Sequence, residues 1–370
     1  MTAKKPMPSG GPGPHNDLTD ISGVLVGHAE DALAKTGVTA VLFDNPALIA
    51  GDVRGGGPGT RETDLLDPST LVERADAVVL SGGSSYGLGA ADGAAGFLGA
   101  RGRGFQLVPR EGVPPSPIVP AAILYDLANG GDKNWATRGD GRPPYVALGE
   151  AACMAASAEP IRLGRAGAGF GAQAGAAPGG VGSASFVTAD GLRVAALIAV
   201  NSFGSAKMPY SDVFWAWPYE WDREFGGARP EPNTAPAADL PGDTKLGPLA
   251  APTSTPSGDT PNAPTNTTIG VIAIDGANLP AALTQASLTR IAVMAQDGLA
   301  RAIRPIHGPT DGDVLFAAAT TTAGTSDGIA AGAPIDAVTL TRLGAIAADV
   351  CARAAARAVY EAEKGDAVET

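Results

Sequence analysis

The chain has 370 residues, 44% of them hydrophobic and 17% charged, which suits one large globular domain or two ordinary ones. A net charge of -12 argues against nucleic acid or an anionic membrane surface as the main partner. Cys153 and Cys351 are the only cysteines, which excludes a disulfide framework and a cysteine zinc site; each sits in an Ala-rich, helix-like run and reads as a small buried apolar residue.

Met1 to Asn16 carries Lys4 and Lys5 with no apolar segment behind them. It has the pattern of neither a signal peptide nor a membrane anchor, and residues 1–16 are expected to form a disordered tail. No apolar run reaches transmembrane length, so a soluble, cytoplasmic protein with no membrane partner is expected. Asp17 to His28, with Ile21, Val24 and Val26 in near alternation, and Thr39 to Phe43 read as strands. Between Asp52 and Asp64 lies a Gly-rich stretch holding Arg54 and Arg61 and several carboxylates. It lacks the Gly-Lys-Ser/Thr of a phosphate loop and the dinucleotide fingerprint, which leaves a ligand-approaching loop or an ordinary flexible one.

Ala77 to Leu80 reads as a buried strand, followed by Ser81-Gly82-Gly83-Ser84-Ser85-Tyr86 and an Ala/Gly-rich helix to about Ala100. A strand, a Gly-Gly turn and a helix start present backbone N–H groups to an anion or a carbonyl oxygen, so Gly82, Gly83, Ser84 and Tyr86 are candidate substrate-binding residues; inert turns share this pattern. Gln106 to Pro109 and Ile118 to Leu127 read as strand-like, the latter containing Tyr125-Asp126, and Val146 to Ser157 as helix. Gly164 to Ser185 is a second Gly-rich region, suited to tight packing or to a substrate-lining loop.

Leu192 to Val200 is a buried strand ending at Asn201, a residue that forms turns and also donates well to an oxyanion. Met208 to Phe225 gathers Trp215, Trp217 and Trp221 with Tyr210 and Tyr219, which fits a pocket cover, a subunit contact or a local cluster under a loop. Residues 229–265, dense in Pro, Ala, Thr, Ser and Asn, cannot form a core and are expected to be a flexible linker. Behind it, Asn266-Thr267-Thr268 leads into the apolar run Ile269 to Ile274. Position alone allows two readings: a strand opened by β-prone threonines, or a nucleophilic hydroxyl at a buried strand edge behind a cuttable linker.

Leu283 to Ile303 carries the apolar stripe of an amphipathic helix, with Thr284 near its start. Asp311-Gly312-Asp313 then precedes a strand at Val314 to Thr320 and reads as a tight turn or as two carboxylates facing one polar site. It lacks the later acidic positions of a calcium loop, and His307 has no second His or Cys beside it, so His307 reads as structural and neither metal nor cofactor is expected. A last helix is expected from about Thr339 to Lys364.

In their order, Leu18-Thr19-Asp20-Ile21-Ser22-Gly23-Val24, Gly57-Pro58-Gly59-Thr60-Arg61-Glu62-Thr63-Asp64, Ser81-Gly82-Gly83-Ser84, Ile118 to Asp126, Ala199-Val200-Asn201, Asn266-Thr267-Thr268-Ile269 and Asp311-Gly312-Asp313 resemble the P1-family peptidases. This is the L-aminopeptidase/D-esterase-amidase family, peptidase family S58, which includes the nylon-oligomer (6-aminohexanoate oligomer) hydrolases. The resemblance implies an α/β (α+β) fold, a four-layer αββα sandwich of the N-terminal-nucleophile hydrolase type spanning residues 17–370. It implies self-cleavage between Asn266 and Thr267, giving a large chain of residues 1–266 and a small chain of residues 267–370, commonly assembled as a homotetramer of such pairs. It implies amide hydrolysis of a small amide or peptide through an acyl-enzyme on Thr267, whose freed α-amine is the base. By the same likeness Asn201 serves the oxyanion, Asp311 and Asp313 orient the amine, and Tyr125 lies near the nucleophile. The nylon-oligomer hydrolases also carry a Lys in the second Gly-rich region, where this chain has Ala176 and no Lys between Gly164 and Ser185. Either another residue takes that role, or processing and activity are altered. Two other functions compete with this one: an acyltransferase like ornithine acetyltransferase, which also uses an N-terminal Thr, and an uncut, non-enzymatic binding protein.

Overall fold

A computed structural model describes residues 10–137, 141–234, 242–245, 266–320 and 334–369. In chain order the strands and helices are β1 (Gly10–Gly11), β2 (Val24–Asp31), β3 (Thr36–Val53), β4 (Thr60–Arg61), β5 (Arg74–Ser81), α1 (Ala90–Gly99), β6 (Ala121–Ile123), α2 (Tyr145–Met154), β7 (Gln173–Ala174) and β8 (Ala177–Pro178). They continue with β9 (Gly180–Thr188), β10 (Arg193–Asn201), β11 (Thr267–Ile274), α3 (Gln285–Ala302), β12 (Val314–Ala319) and α4 (Ala337–Glu369). The main sheet runs β1-β9-β10-β11-β12-β3-β5-β6-β4, with β2 also paired to β3, while β7 and β8 pair separately. β11 is antiparallel to β10 and parallel to β12.

One long strand makes two layers of this sheet. The first half of β3 pairs with β2 and β5, and its second half pairs with β12; a break in register between Leu42 and Ala47 separates the two. The side chains then sort by strand alternation. Val194, Ala196, Ile198, Ile272 and Leu315 point into a core with α3 and α4. Leu197, Ala199, Ile269, Val271 and Phe316 point the other way, into a core shared with Val41, Phe43, Val78 and Leu80. Val38, Ala40, Leu42, Ala77 and Val79 face a third core with α1 and α2. Helices, sheet, sheet, helices is the four-layer αββα sandwich that the family likeness implies. Both middle layers are apolar on two faces, which is why their strands read as near-continuous hydrophobic runs.

Several elements differ from their sequence reading. Residues 10–16 are ordered: Gly10 and Gly11 pair with Val187 and Thr188, and Asn16 donates to Glu224. A search for apolar pattern misses them because backbone and polar bonds hold them. Residues 17–20 form a capped turn, with the Asp17 carboxylate accepting from the Thr19 N–H, and the strand starts only at Val24. Gln106 to Pro109 is exposed and not a strand, whereas the last six residues of the Gly-rich region 164–185 open β9. Its small residues let α4 approach closely: a Cβ on Gly182 would lie 2.0 Å from the Ala354 carbonyl. α3 starts where expected, with the Thr284 hydroxyl accepting from the Ser287 N–H. Both cysteines are buried, and burial pushes the Cys153 thiol up to about 12. No helix among the described residues is long and apolar enough to cross a membrane.

α4 is tied to distant parts of the chain by a buried ion pair. The Arg353 guanidinium donates to Glu224 at 2.6 and 3.0 Å, to the Ser185 carbonyl at 2.8 Å and to the Asn16 side chain at 2.8 Å. Burial alone would raise the Glu224 carboxyl, but the hydrogen bonds and charge of Arg353, with Asn16 and Arg357, bring it below its usual range. Arg353→Ala leaves that carboxylate buried without its main partner and is expected to destabilise the protein by about 3–5 kcal/mol. A urea titration reads this as a lower midpoint at unchanged slope; an unmoved midpoint would refute it.

Candidate active site

The ladder of β10 and β11 ends on Asn201 opposite Thr267. Both are buried, as are Asn266, Asp311 and Asp313. Thr267 opens β11, so its backbone is fixed by the sheet while its neighbour Asn266 already lies outside the strand and bridges to Asp311. The Thr267 hydroxyl donates to the Asn266 carbonyl oxygen at 2.5 Å. That same oxygen accepts the Gly312 N–H at 2.8 Å. The carbonyl of the Asn266–Thr267 bond therefore carries a hydroxyl and a backbone donor at once.

Asp313 is the hub of the neighbouring turn. One carboxylate oxygen accepts the Thr268 N–H at 2.6 Å; the other accepts the His307 N–H at 3.0 Å and faces His307 Nδ1 at 2.8 Å. His307 is bound to this carboxylate through both its N–H and its ring. Asp311 accepts the Gly308 N–H at 2.6 Å. Burial, and secondly the charge of Asp313, push the Asp311 carboxyl up to about 6. The first Gly-rich loop packs on this turn instead of waiting for a ligand: Arg54 and Gly55 donate to the Asp313 carbonyl, and Gly57 to that of Asp311. A Cβ on Gly55 would lie 2.2 Å from the Asp311 carbonyl oxygen, which explains the glycine.

Asn201 is held on every side. Its Nδ2 donates to the Tyr125 carbonyl at 3.0 Å, and its Oδ1 accepts from the Gln173 N–H at 3.0 Å. Tyr125 therefore meets Asn201 through its backbone oxygen, not its hydroxyl. Two further bonds come from Lys245, whose Nζ donates to the Asn201 carbonyl at 2.8 Å and to Oδ1 at 3.1 Å. Burial lowers the Lys245 amine to about 7, and the charge of Asp311 acts in the opposite direction.

Lys245 belongs to the stretch expected to be a structureless linker. Residues 235–241 and 246–265 of that stretch lie outside the described residues, but 242–245 pack on the site. The Asp243 carbonyl accepts the Ala176 N–H at 2.9 Å, and the Lys245 N–H donates to the Phe203 carbonyl at 3.1 Å. A lysine thus reaches the site from the segment that touches Ala176, the position that is a lysine in the nylon-oligomer hydrolases. The one signal in the sequence was that Lys245 is the only lysine between 229 and 265.

The Gly82-Gly83 turn does not cradle a ligand through its backbone. The Gly82, Gly83 and Ser84 N–H groups donate to the Gly37 carbonyl, the Asp126 carboxylate and the Leu124 carbonyl. Gly83 has a φ of +87°, and a Cβ there would lie 2.0 Å from the Tyr145 ring, so local geometry accounts for this glycine. The turn supports the strand end that carries Tyr125. Tyr86, half exposed, lines an open cleft of about 640 Å³ with Trp135, Arg142 and Tyr145, apart from Thr267.

Comparison with known proteins follows the same outline. The model of peptidase family S58 matches residues 16–370. A protein of Mycobacterium tuberculosis named an uncharacterized aminopeptidase is 41% identical over 359 residues, covering 94% of each chain. A 6-aminohexanoate-oligomer endohydrolase of Kocuria sp. is 30% identical, covering 90% of this chain and 82% of the relative. Among solved structures, the L-aminopeptidase D-Ala-esterase/amidase of Ochrobactrum anthropi superposes with a TM-score of 0.65 at 20% identity, covering 96% of this chain and 89% of that one. Its structure is described as a variant of the Ntn hydrolase fold.

The coupling of the acidic pair is open to measurement. Replacing Asp313 with Asn removes the like charge beside Asp311, so the Asp311 carboxyl is expected to titrate lower than about 6. Because the folded state holds this proton more tightly than the unfolded state, Asp311 stabilises the protein at low pH. That contribution is lost as pH rises from the usual value of 3.8 through about 6. Carbon-13 NMR of the carboxyl groups reads the midpoint directly; a midpoint that stays in place in Asp313→Asn would show that the charges are not coupled.

Proposed function

The chain belongs to peptidase family S58 and is a hydrolase of amide bonds, and from that premise we propose that it matures by cutting itself before Thr267 and then hydrolyses amides through the freed Thr267. The observation that carries this reading is the Asn266 carbonyl oxygen, which receives the Thr267 hydroxyl at 2.5 Å and the Gly312 N–H at 2.8 Å. Attack by Thr267 Oγ1 on that carbonyl carbon puts negative charge on an oxygen that already faces a fixed backbone donor. The Oγ1–carbon bond forms and the carbon–nitrogen bond breaks. The hydroxyl proton ends on the departing nitrogen, which becomes the α-amine of Thr267. Water then hydrolyses the ester, leaving the Asn266 carboxylate and a free Thr267 hydroxyl.

In turnover the new α-amine, with an ordinary pKa of about 8, takes the proton from Thr267 Oγ1 as it attacks the substrate carbonyl. The substrate's amine leaves with a proton, and water releases the acyl group from Thr267. No histidine is needed as base. Asp313 holds the Thr268 N–H and so fixes the backbone from which that amine projects. Asp311, next to it, accepts the amine's protons or orients the amine of a substrate. Asn201 would serve the oxyanion of a bound substrate; its pairing with Thr267 at the end of the ladder supports this role.

The relative at 41% identity is named an aminopeptidase and the one at 30% an oligomer endohydrolase, which favours removal of a residue at the free-amine end of a small amide over internal cleavage of 6-aminohexanoate oligomers. Aminoacyl anilides assayed beside a 6-aminohexanoate oligomer rank the two classes. Processing itself is read on a denaturing gel of the purified protein. Two bands are expected, the smaller beginning at Thr267, and Thr267→Ala is expected to give one full-length band and no amide hydrolysis. Hydrolysis retained in Thr267→Ala would falsify the assignment of the nucleophile.

A further inference from the structure

Lys245 stands out among the groups near Thr267 because the reaction just described gives it no task. It comes from a stretch poor in large apolar residues, yet its segment is docked by backbone bonds on both sides. Ala176 donates to Asp243, and Lys245 donates to Phe203. Thr244, between them, is buried. A bare linker would not need this seat.

The contacts of Lys245 act on one side chain. Asn201 Oδ1 receives the Gln173 N–H at 3.0 Å and the Lys245 Nζ at 3.1 Å. An amide turned over at this place would set its NH₂ group against two donors, so the pair fixes which end of Asn201 is which. The second Nζ bond, to the Asn201 carbonyl at 2.8 Å, holds the last rung of β10, where Thr267 is the partner. Lys245 also lies in the field of Asp311, which bridges to Asn266. Its charge therefore flanks the Asn266–Thr267 bond through both neighbours.

We propose that Lys245 is a positioning residue of the site, contributed by the docked segment 242–245, which orients the Asn201 amide and supplies positive charge beside Asp311 in place of the lysine absent at Ala176. This rests on the self-cleaving reading of Thr267. Because the segment lies upstream of the cut, it stays with the large chain, so one residue serves both processing and turnover.

The charge gives the test a signature that a purely structural lysine lacks. The titratable group whose charge acts on it is Asp311, itself coupled to Asp313 and His307, with Asp243 on its own segment. The Lys245 amine, lowered to about 7, loses its proton above that pH, and with it the charge that favours a developing oxyanion. In the wild-type chain, processing is expected to slow as pH rises through about 7. Lys245→Arg keeps the donors and the charge, so it should cut and should lose that alkaline limb. Lys245→Met should cut at least about tenfold more slowly below about pH 7, as expected for loss of electrostatic help at an oxyanion, and the gap should close above that pH as the wild type loses the same charge. Lys245→Met cutting at the wild-type rate below that pH, or more slowly with the wild-type pH profile, overturns the inference. A wild-type chain that never cuts sinks the processing reading instead.

A second measurement does not depend on cutting. In the full-length Thr267→Ala chain with carbon-13 at lysine Cε, one lysine is expected to titrate near 7 and to vanish in the double variant with Lys245→Met. If every lysine titrates in the ordinary range, near about 10.4, Lys245 is not seated on Asn201 and the proposal fails.

Discussion

The site depends on the register of β11 between its two neighbours. Thr267 pairs with Asn201 on one side, and Ile269 pairs with Val314 on the other. A shift of one residue along β10 would separate Thr267 from Asn201; a shift along β12 would carry the Asp311-Gly312-Asp313 turn away from the Asn266 carbonyl. Strand alternation forbids both, because Ile269 and Val271 belong to the core between the sheets while Ile272 and Ile274 belong to the core under α3 and α4. A one-residue slip would exchange the two sets. Packing well away from the chemistry thus sets the distance between a hydroxyl and a carbonyl.

The same register explains why charged groups survive here. Asp311 and Asp313 flank a single glycine in a buried place, where two carboxylates repel and both lose solvation. Backbone donors from Thr268, His307 and Gly308 compensate this, and they are available because Thr268 lies before the β11–β12 ladder begins at Ile269 and 307–308 lie in a loop. Asp313 spends its two oxygens on fixed N–H groups, while Asp311 has the raised pKa, so the turn holds one structural carboxylate and one able to exchange a proton near neutrality.

Much of this was legible in the sequence, and the gaps have physical causes. The apolar runs of β10, β11 and β12 could be read because strands buried on both faces leave no alternation to misjudge. Thr267, Asn201, Asp311 and Asp313 were found as an ordered set of motifs and not by their spacing, and the fold brings all four together. β9 was hidden because its small residues serve a close helix contact and look like a loop. The Gly82-Gly83 turn looked like a donor cradle because a sequence shows N–H groups without their acceptors; Gly37, Asp126 and Leu124 take them. Lys245 was invisible for a related reason. Composition describes a stretch as a whole, while one backbone seat and the amine contacts of one lysine decide what four of its residues do.

Self-cleavage before Thr267 also requires that the two products stay together, and the fold answers this without the broken bond. β11 and α4 would belong to the small chain, and β10, β9 and the segment carrying Glu224 to the large one. The β10–β11 ladder runs through eight paired residues, from Val194 opposite Ile274 to Asn201 opposite Thr267. α4 packs its apolar side on β9 and β10, and Arg353 reaches across to Glu224, Ser185 and Asn16. The proposed cut would fall at the end of that ladder and would disturb no rung. A bond placed inside β11 could not be cut without opening the sheet. A bond placed deeper in the linker would leave Thr267 without a free amine. The first residue of the strand would meet both conditions: it is held by the sheet and, under the proposed cut, would begin a chain.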